Sequence, residues 1–139
     1  MFSPSLASPF GRPGGMAQAY RQVGVTTSVE SASPHKLVEL LFDGYMEAVA
    51  QARVAMRNKQ IELKGKACTR AVRIIDEGLK ACLNLREGGN LARDLSDLYS
   101  YLTMRLTQAN IRNDESILDE CVSLVEPLRQ AWRAIGDQV

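Results

Sequence analysis

At 139 residues, with 45% hydrophobic and 24% charged side chains, the chain has the make-up of one ordinary soluble domain. That length buries roughly two thirds of the surface an unfolded chain exposes and leaves no room for a second domain. A formal net charge of +1 supplies no field to recruit nucleic acid or an anionic membrane, and the sparse aromatics are not interleaved with basic clusters as single-strand binders require.

Residues 1–15, MFSPSLASPFGRPGG, carry three prolines and three glycines. Prolines and glycines stand where a signal peptide would have its apolar stretch, and the composition predicts a disordered leader. Residues 16–33 are read as an N-terminal arm. Met16 to Val23 spans two helical turns with Met16, Tyr20 and Val23 on one side, and Val23-Gly24-Val25-Thr26-Thr27 favours an extended path. Tyr20 and Val25 are its expected apolar anchors.

The remainder, 34–139, is read as four helices. Ser33 is a good N-cap and Pro34 suits the first helical position, so a helix is expected from there to about Arg57. Leu37, Leu41, Tyr45, Ala48, Ala52 and Met56 form its core stripe at three- and four-residue spacing. Leu40 and Val54 fall among the polar residues as a minor apolar spot.

After a turn at Asn58-Lys59, a second helix is expected from about Gln60 to Leu85, with its polar strip in Lys66, Thr69, Arg70, Arg73, Asp76, Glu77 and Lys80. Its apolar residues fill about 200° of the helical wheel, bounded by Leu63, Ile74 and Ala81 on one edge and Val72, Leu79 and Leu83 on the other. A helix lining one side of a small core needs little more than about 100°, so the surplus needs a cover. A second neighbour helix and a bound partner both satisfy that need.

Gly88-Gly89 ends this region, and Asn90 is the expected cap of a third helix from about Leu91 to Arg112, with Leu91, Leu95, Leu98, Tyr99, Leu102, Leu106 and Ala109 as core. Tyr101, Met104 and Ile111 stand off that stripe, where a surface helix would be polar. Asn113-Asp114 reverses the chain into a fourth helix to about Ile135, in which Pro127 predicts a kink. Short connections make sequential helices neighbours. The fold class is therefore all-α, an antiparallel up-down four-helix bundle with a mobile N-terminal arm.

Catalytic chemistry finds no support. A di-metal centre in a bundle needs two Glu-x-x-His pairs, yet the chain has one histidine, His35. His35 is read as a surface residue at a helix start. Gly88-Gly89 lacks the lysine and Ser/Thr of a phosphate loop. No apolar run approaches the roughly 18–20 residues of a membrane span. Cys68, Cys82 and Cys121 each fall on an apolar helical face and are read as buried, reduced thiols of a cytosolic protein. No cofactor or metal is expected, and the chain is not read as an enzyme.

Several stretches carry a family likeness: Val25 to Tyr45 through Ala32-Ser33-Pro34-His35-Lys36-Leu37-Val38 and Leu41-Phe42-Asp43-Gly44, and the second helix through Ile74-Ile75-Asp76-Glu77-Gly78-Leu79. Gly88-Gly89-Asn90-Leu91-Ala92, Asp94-Leu95, Leu98-Tyr99-Ser100-Tyr101, Leu106 with Ala109-Asn110, and Ala131-Trp132 follow in order. In this order and spacing they resemble the FliS family of flagellar export chaperones. The Pro/Gly-rich leader and Pro127 depart from the pattern. The resemblance implies a cytosolic chaperone that binds the disordered C-terminal segment of flagellin, prevents its premature polymerisation and assists delivery to the export apparatus. Export gate components and a flagellar regulator are further candidate partners. From helical geometry, the groove candidates are Tyr20, Val25, Leu63, Ile74, Leu79, Leu83, Tyr101, Met104, Ala109 and Asn110. The arm from Met16 to Val25 is expected to shield part of that groove. The alternative is a regulatory or dimerisation module that buries the same apolar surface against itself.

Overall fold

The computed structural model describes residues 33–136, which form four helices joined by short turns. Helix α1 spans Pro34–Arg57 and α2 spans Ile61–Arg73, which continues as a π-helical stretch Ile74–Leu79; α3 spans Gly89–Arg112 and α4 spans Glu115–Ala134. The expected leader and arm, with Tyr20 and Val25, lie outside the described residues.

Local signals set most of the boundaries. The Ser33 hydroxyl accepts the Lys36 amide at 3.1 Å and Pro34 follows it, while the Asp114 carboxylate accepts the Ser116 amide at 2.9 Å. Both α1–α2 and α3–α4 reversals use a left-handed residue, Lys59 at φ 58° and Asn113 at φ 52°. Asn90 does not cap α3. The helix begins at Gly89, whose φ of +61° is readily adopted only without a Cβ, and the Asn90 side chain instead accepts from Arg93 within the first turn.

Contacts along the seams fix the directions of the helices. At the α1–α4 seam, Arg129 reaches Asp43 at 2.8 Å and Arg133 reaches Glu39 at 3.1 Å. Arg57, at the end of α1, meets Glu115, at the start of α4, at 2.9 Å, and Arg53 pairs with Asp119. Between α2 and α3, Lys64 reaches Asn110 and Lys80 reaches Ser100. In both pairs the start of one helix meets the end of the other. Most of these pairs are partly exposed, so each adds at most about 1 kcal/mol and serves register more than stability.

The core lies between all four helices. Tyr45 and Tyr99 are fully buried in it, with Leu41, Ile74, Ile75, Leu79, Leu102, Leu106 and Leu118 around them. The Tyr45 hydroxyl donates to the Cys121 carbonyl at 3.1 Å.

Three further features depart from the sequence reading. The second helix does not reach Leu85: it widens at Ile74, with the Lys80 amide donating to the Ile75 carbonyl at 2.7 Å, and gives way to turns after Leu79. Packing accounts for the wide turn. A Cβ on Gly78 would stand 2.9 Å from Leu41 Cδ2, so the π-helical backbone lies directly against α1.

His35 is buried, not a surface residue. Its ring stacks on Trp132 with centroids 4.8 Å apart, its Nε2 donates to the Trp132 carbonyl at 2.6 Å, and the Trp132 indole donates to the His35 carbonyl at 2.9 Å. This clamp joins the start of α1 to the end of α4. Leu91, expected inside, is 57% exposed because it sits on a terminal turn beyond the core. Helix α4 runs on through Pro127.

Candidate binding surface

Two apolar surfaces remain outside this closed core. The first is a groove of about 600 Å³ between α1 and α2. Alanines keep its floor low: Ala50, Ala55 and Ala67 line it, with Val54 and Leu63 as its larger apolar walls. Those two side chains are 55% and 52% exposed. The rim is polar, with Arg70 paired to Glu47 at 2.9 Å and Lys66 beside them. Its shape is that of a trough for a narrow apolar face, bounded by charges of both signs.

The second surface is the outer side of α3, where Met104 and Ile111 are exposed and Tyr101 partly so. Tyr101 is fastened by its polar end. Its hydroxyl donates to Glu120 on α4 at 2.5 Å, and Arg105 donates to the other carboxylate oxygen at 2.7 Å. The ring is thus held in one place with its apolar body toward solvent, which lowers the entropy lost when a partner covers it.

The Tyr101 hydroxyl and then Arg105 hold the Glu120 carboxyl below its ordinary range. Because the folded-state pKa is the lower one, the stability this contact adds is present above the unfolded carboxyl's pKa. It is lost as pH falls through the depressed value. Tyr101→Phe is expected to move the Glu120 titration upward, toward that of a free carboxylate, as followed by carboxyl-carbon NMR. An unmoved titration would mean that the phenol does not reach Glu120 in solution.

The sequence-derived groove candidates divide by depth. Leu63, Tyr101 and Met104 are exposed, and Leu83 and Asn110 are half-buried, the Asn110 carbonyl accepting from Lys64 at 2.8 Å. Ile74, Leu79 and Ala109 lie in the core with no exposed surface, so in this conformation they support the surface from beneath. The wide arc of α2 is consumed largely by its two neighbours, α1 and α3. Sequence reasoning passed over Ala50, Ala55 and Ala67 as groove formers; their signal was the small size of side chains at facing positions. Val54 was visible as an apolar residue on a wet face.

Burial pushes the Cys82 and Cys121 thiols up to about 11 and raises Cys68 as well, so all three stay protonated. Among the described residues there is no cluster of His, Cys, Asp or Glu able to hold a metal ion, and no helix long and apolar enough to cross a membrane.

A family model described as "Flagellar protein FliS" matches residues 16–139. The chain belongs to the FliS family. Within that family, the flagellar secretion chaperone FliS of Salmonella typhimurium is 45% identical over 119 residues, covering 86% of this chain and 88% of the relative. FliSB of Pseudomonas aeruginosa is 42% identical over 117 residues, covering 84% and 92%, and FliS of Vibrio cholerae is 36% identical over 121 residues, covering 87% and 88%. These FliS proteins are named as secretion chaperones, a non-enzymatic class, in keeping with the bundle's apolar surfaces.

Proposed function

We propose that this protein is a cytosolic export chaperone that holds the disordered C-terminal segment of a flagellin, keeps it from polymerising, and helps hand it to the flagellar export apparatus. The observation that carries the reading is a trough with apolar walls, and an apolar stripe on a second helix, on a bundle whose core is complete without them. An export substrate must stay unfolded, and a flexible chain with amphipathic helical pieces lays its apolar faces into such troughs as it orders. Ordering costs several kcal/mol, so the bound segment has to cover more than one of these surfaces.

Three free, buried, protonated thiols suit a reducing compartment. Export gate components and a flagellar regulator are further candidate partners of this reading. The arm from Met16 to Val25 is proposed to shield part of the groove when no cargo is present.

Titration calorimetry with a peptide of about 40 residues from a flagellin C-terminus, together with light scattering of each species, tests the reading. A one-to-one complex formed from a monomer, with a negative heat-capacity change, is expected. A stable dimer that gives no heat with the peptide would instead identify a dimerisation module.

A further inference from the structure

Gly65 occupies an interior turn of α2, where glycine weakens a helix relative to alanine. The fold makes no use of it. A Cβ on Gly78 or Gly136 would stand 2.9 Å from a neighbouring side chain, and Gly89 has a positive φ. Gly65 has neither reason, since a Cβ there meets nothing within 4 Å among the described residues. The missing side chain instead leaves a notch in the outer surface of α2.

That notch lies in an open groove of about 500 Å³ along α2. Ile61, Gly65, Thr69 and Arg73 follow one another at four-residue spacing and form a single row on the helix. The row falls from Ile61, 76% exposed, to bare backbone at Gly65 and the short Thr69. Helices pack by laying a row of one into the gap between rows of the other, and a glycine at the crossing lets the axes approach to the short end of the usual range, roughly 8 Å.

The lining holds three cations, Lys66, Arg70 and Arg73, and one carboxylate, Glu62. The Lys66 ammonium lies on this outer side, 3.8 Å from Glu62, and both side chains are so exposed that the pair holds little. Glu77 holds Arg73 from the next turn, and Glu47 takes an N–H of Arg70 from the trough side. A guanidinium has more donors than one carboxylate oxygen uses, so Lys66 and Arg70 can both serve an incoming carboxylate.

The same pattern selects the occupant. A second copy would bring the same cations, and residues 1–32 carry Arg12 and Arg21 against Glu30 alone. Residues 137–139 span at most about 10 Å, whereas the row from Ile61 to Arg73 runs about 18 Å. We propose that this groove docks an acidic helix of a second protein, packed across Gly65 with a small residue at the crossing and carboxylates on Lys66 and Arg70. Those two side chains also form the ridge between this groove and the α1–α2 trough. The partner therefore sits beside the cargo segment and not in its place, and the inference does not depend on what fills the trough.

The probe is an alanine-based helical peptide of about 20 residues with glutamates flanking a central Ala-Leu face; a control peptide has lysine for each glutamate. At low salt the acidic peptide is expected to shift the amide NMR signals of residues 61–73 of the full-length protein with a Kd of roughly 10–100 μM, and the lysine peptide to bind at least about tenfold more weakly. Gly65→Leu should keep or raise the Tm, because its side chain enters open space and leucine is the better helix former, yet weaken the acidic peptide about tenfold. A glycine kept for the fold would not give stability gained with binding lost.

Absence of these shifts, or equal binding of the two peptides, would overturn the docking site. A Gly65→Leu protein with a clearly lower Tm would show that the fold needs the glycine, and one that binds the acidic peptide as the parent does would overturn the close crossing. Shifts centred on Ala50, Val54 and Ala55, or release of the acidic peptide by the flagellin peptide, would assign the groove to the cargo's path and overturn a separate partner.

Discussion

Ile74→Ala lowers the unfolding free energy by about 2–5 kcal/mol and the Tm by on the order of 10 °C, while the surviving folded fraction binds cargo as before. The residue was a groove candidate on the helical wheel, but in the fold it has no exposed surface and packs in the core between α1, α2 and α3. Truncation removes three buried carbons at a position where the backbone has little freedom to collapse. Immediately after it the chain follows the wide π-helical path, and Gly78 already touches Leu41. Two-state urea unfolding with the slope compared across variants measures the loss, and calorimetry on the folded fraction measures affinity. A variant with nearly unchanged Tm and tenfold weaker binding would place Ile74 on the binding surface after all.

The contrast between Ile74 and Leu63 shows what was legible in the sequence. A wheel gives the angle of each side chain about its own axis, so it identified Leu63, Tyr101 and Met104 as apolar residues out of line with a simple core stripe; all three are at the surface. It does not say how many neighbours flank a helix, and α2 has one on each side. Ile74 and Leu79 therefore went inward. Starts and reversals were readable because their causes are local: Ser33-Pro34, Asn58-Lys59 and Asn113-Asp114 carry their own hydrogen bonds and backbone preferences.

Features set by distant partners were not readable. The end of the second helix depends on Leu41 lying over Gly78, and the burial of His35 on Trp132, 97 residues away. Asn90 had the chemistry of a cap but lost the position to Gly88, two residues earlier. The groove itself was only half visible, since its depth comes from alanines that meet across two helices.

Val54→Glu combined with Leu63→Glu is expected to weaken cargo binding by about 100-fold while changing the Tm by no more than a degree or two. Both side chains are about half exposed in the free protein, so carboxylates there are hydrated and cost the fold little. Both line the apolar trough between α1 and α2, which the bound segment is expected to cover. Covering the two native side chains contributes about 2–3 kcal/mol of apolar burial, and a glutamate forfeits that and must also be desolvated. Each 1.4 kcal/mol is about tenfold in affinity. Arg70 and Lys66 at the rim do not rescue the change, because Arg70 is already held by Glu47 and Lys66 lies near Glu62. Met104→Glu on α3 provides the comparison by the same calorimetric titration. If the segment crosses both surfaces, the α3 variant loses about tenfold and the triple variant loses the product, as expected for independent sites. If the groove variant binds normally and Met104→Glu alone abolishes binding, the cargo lies on α3 and the α1–α2 groove serves something else.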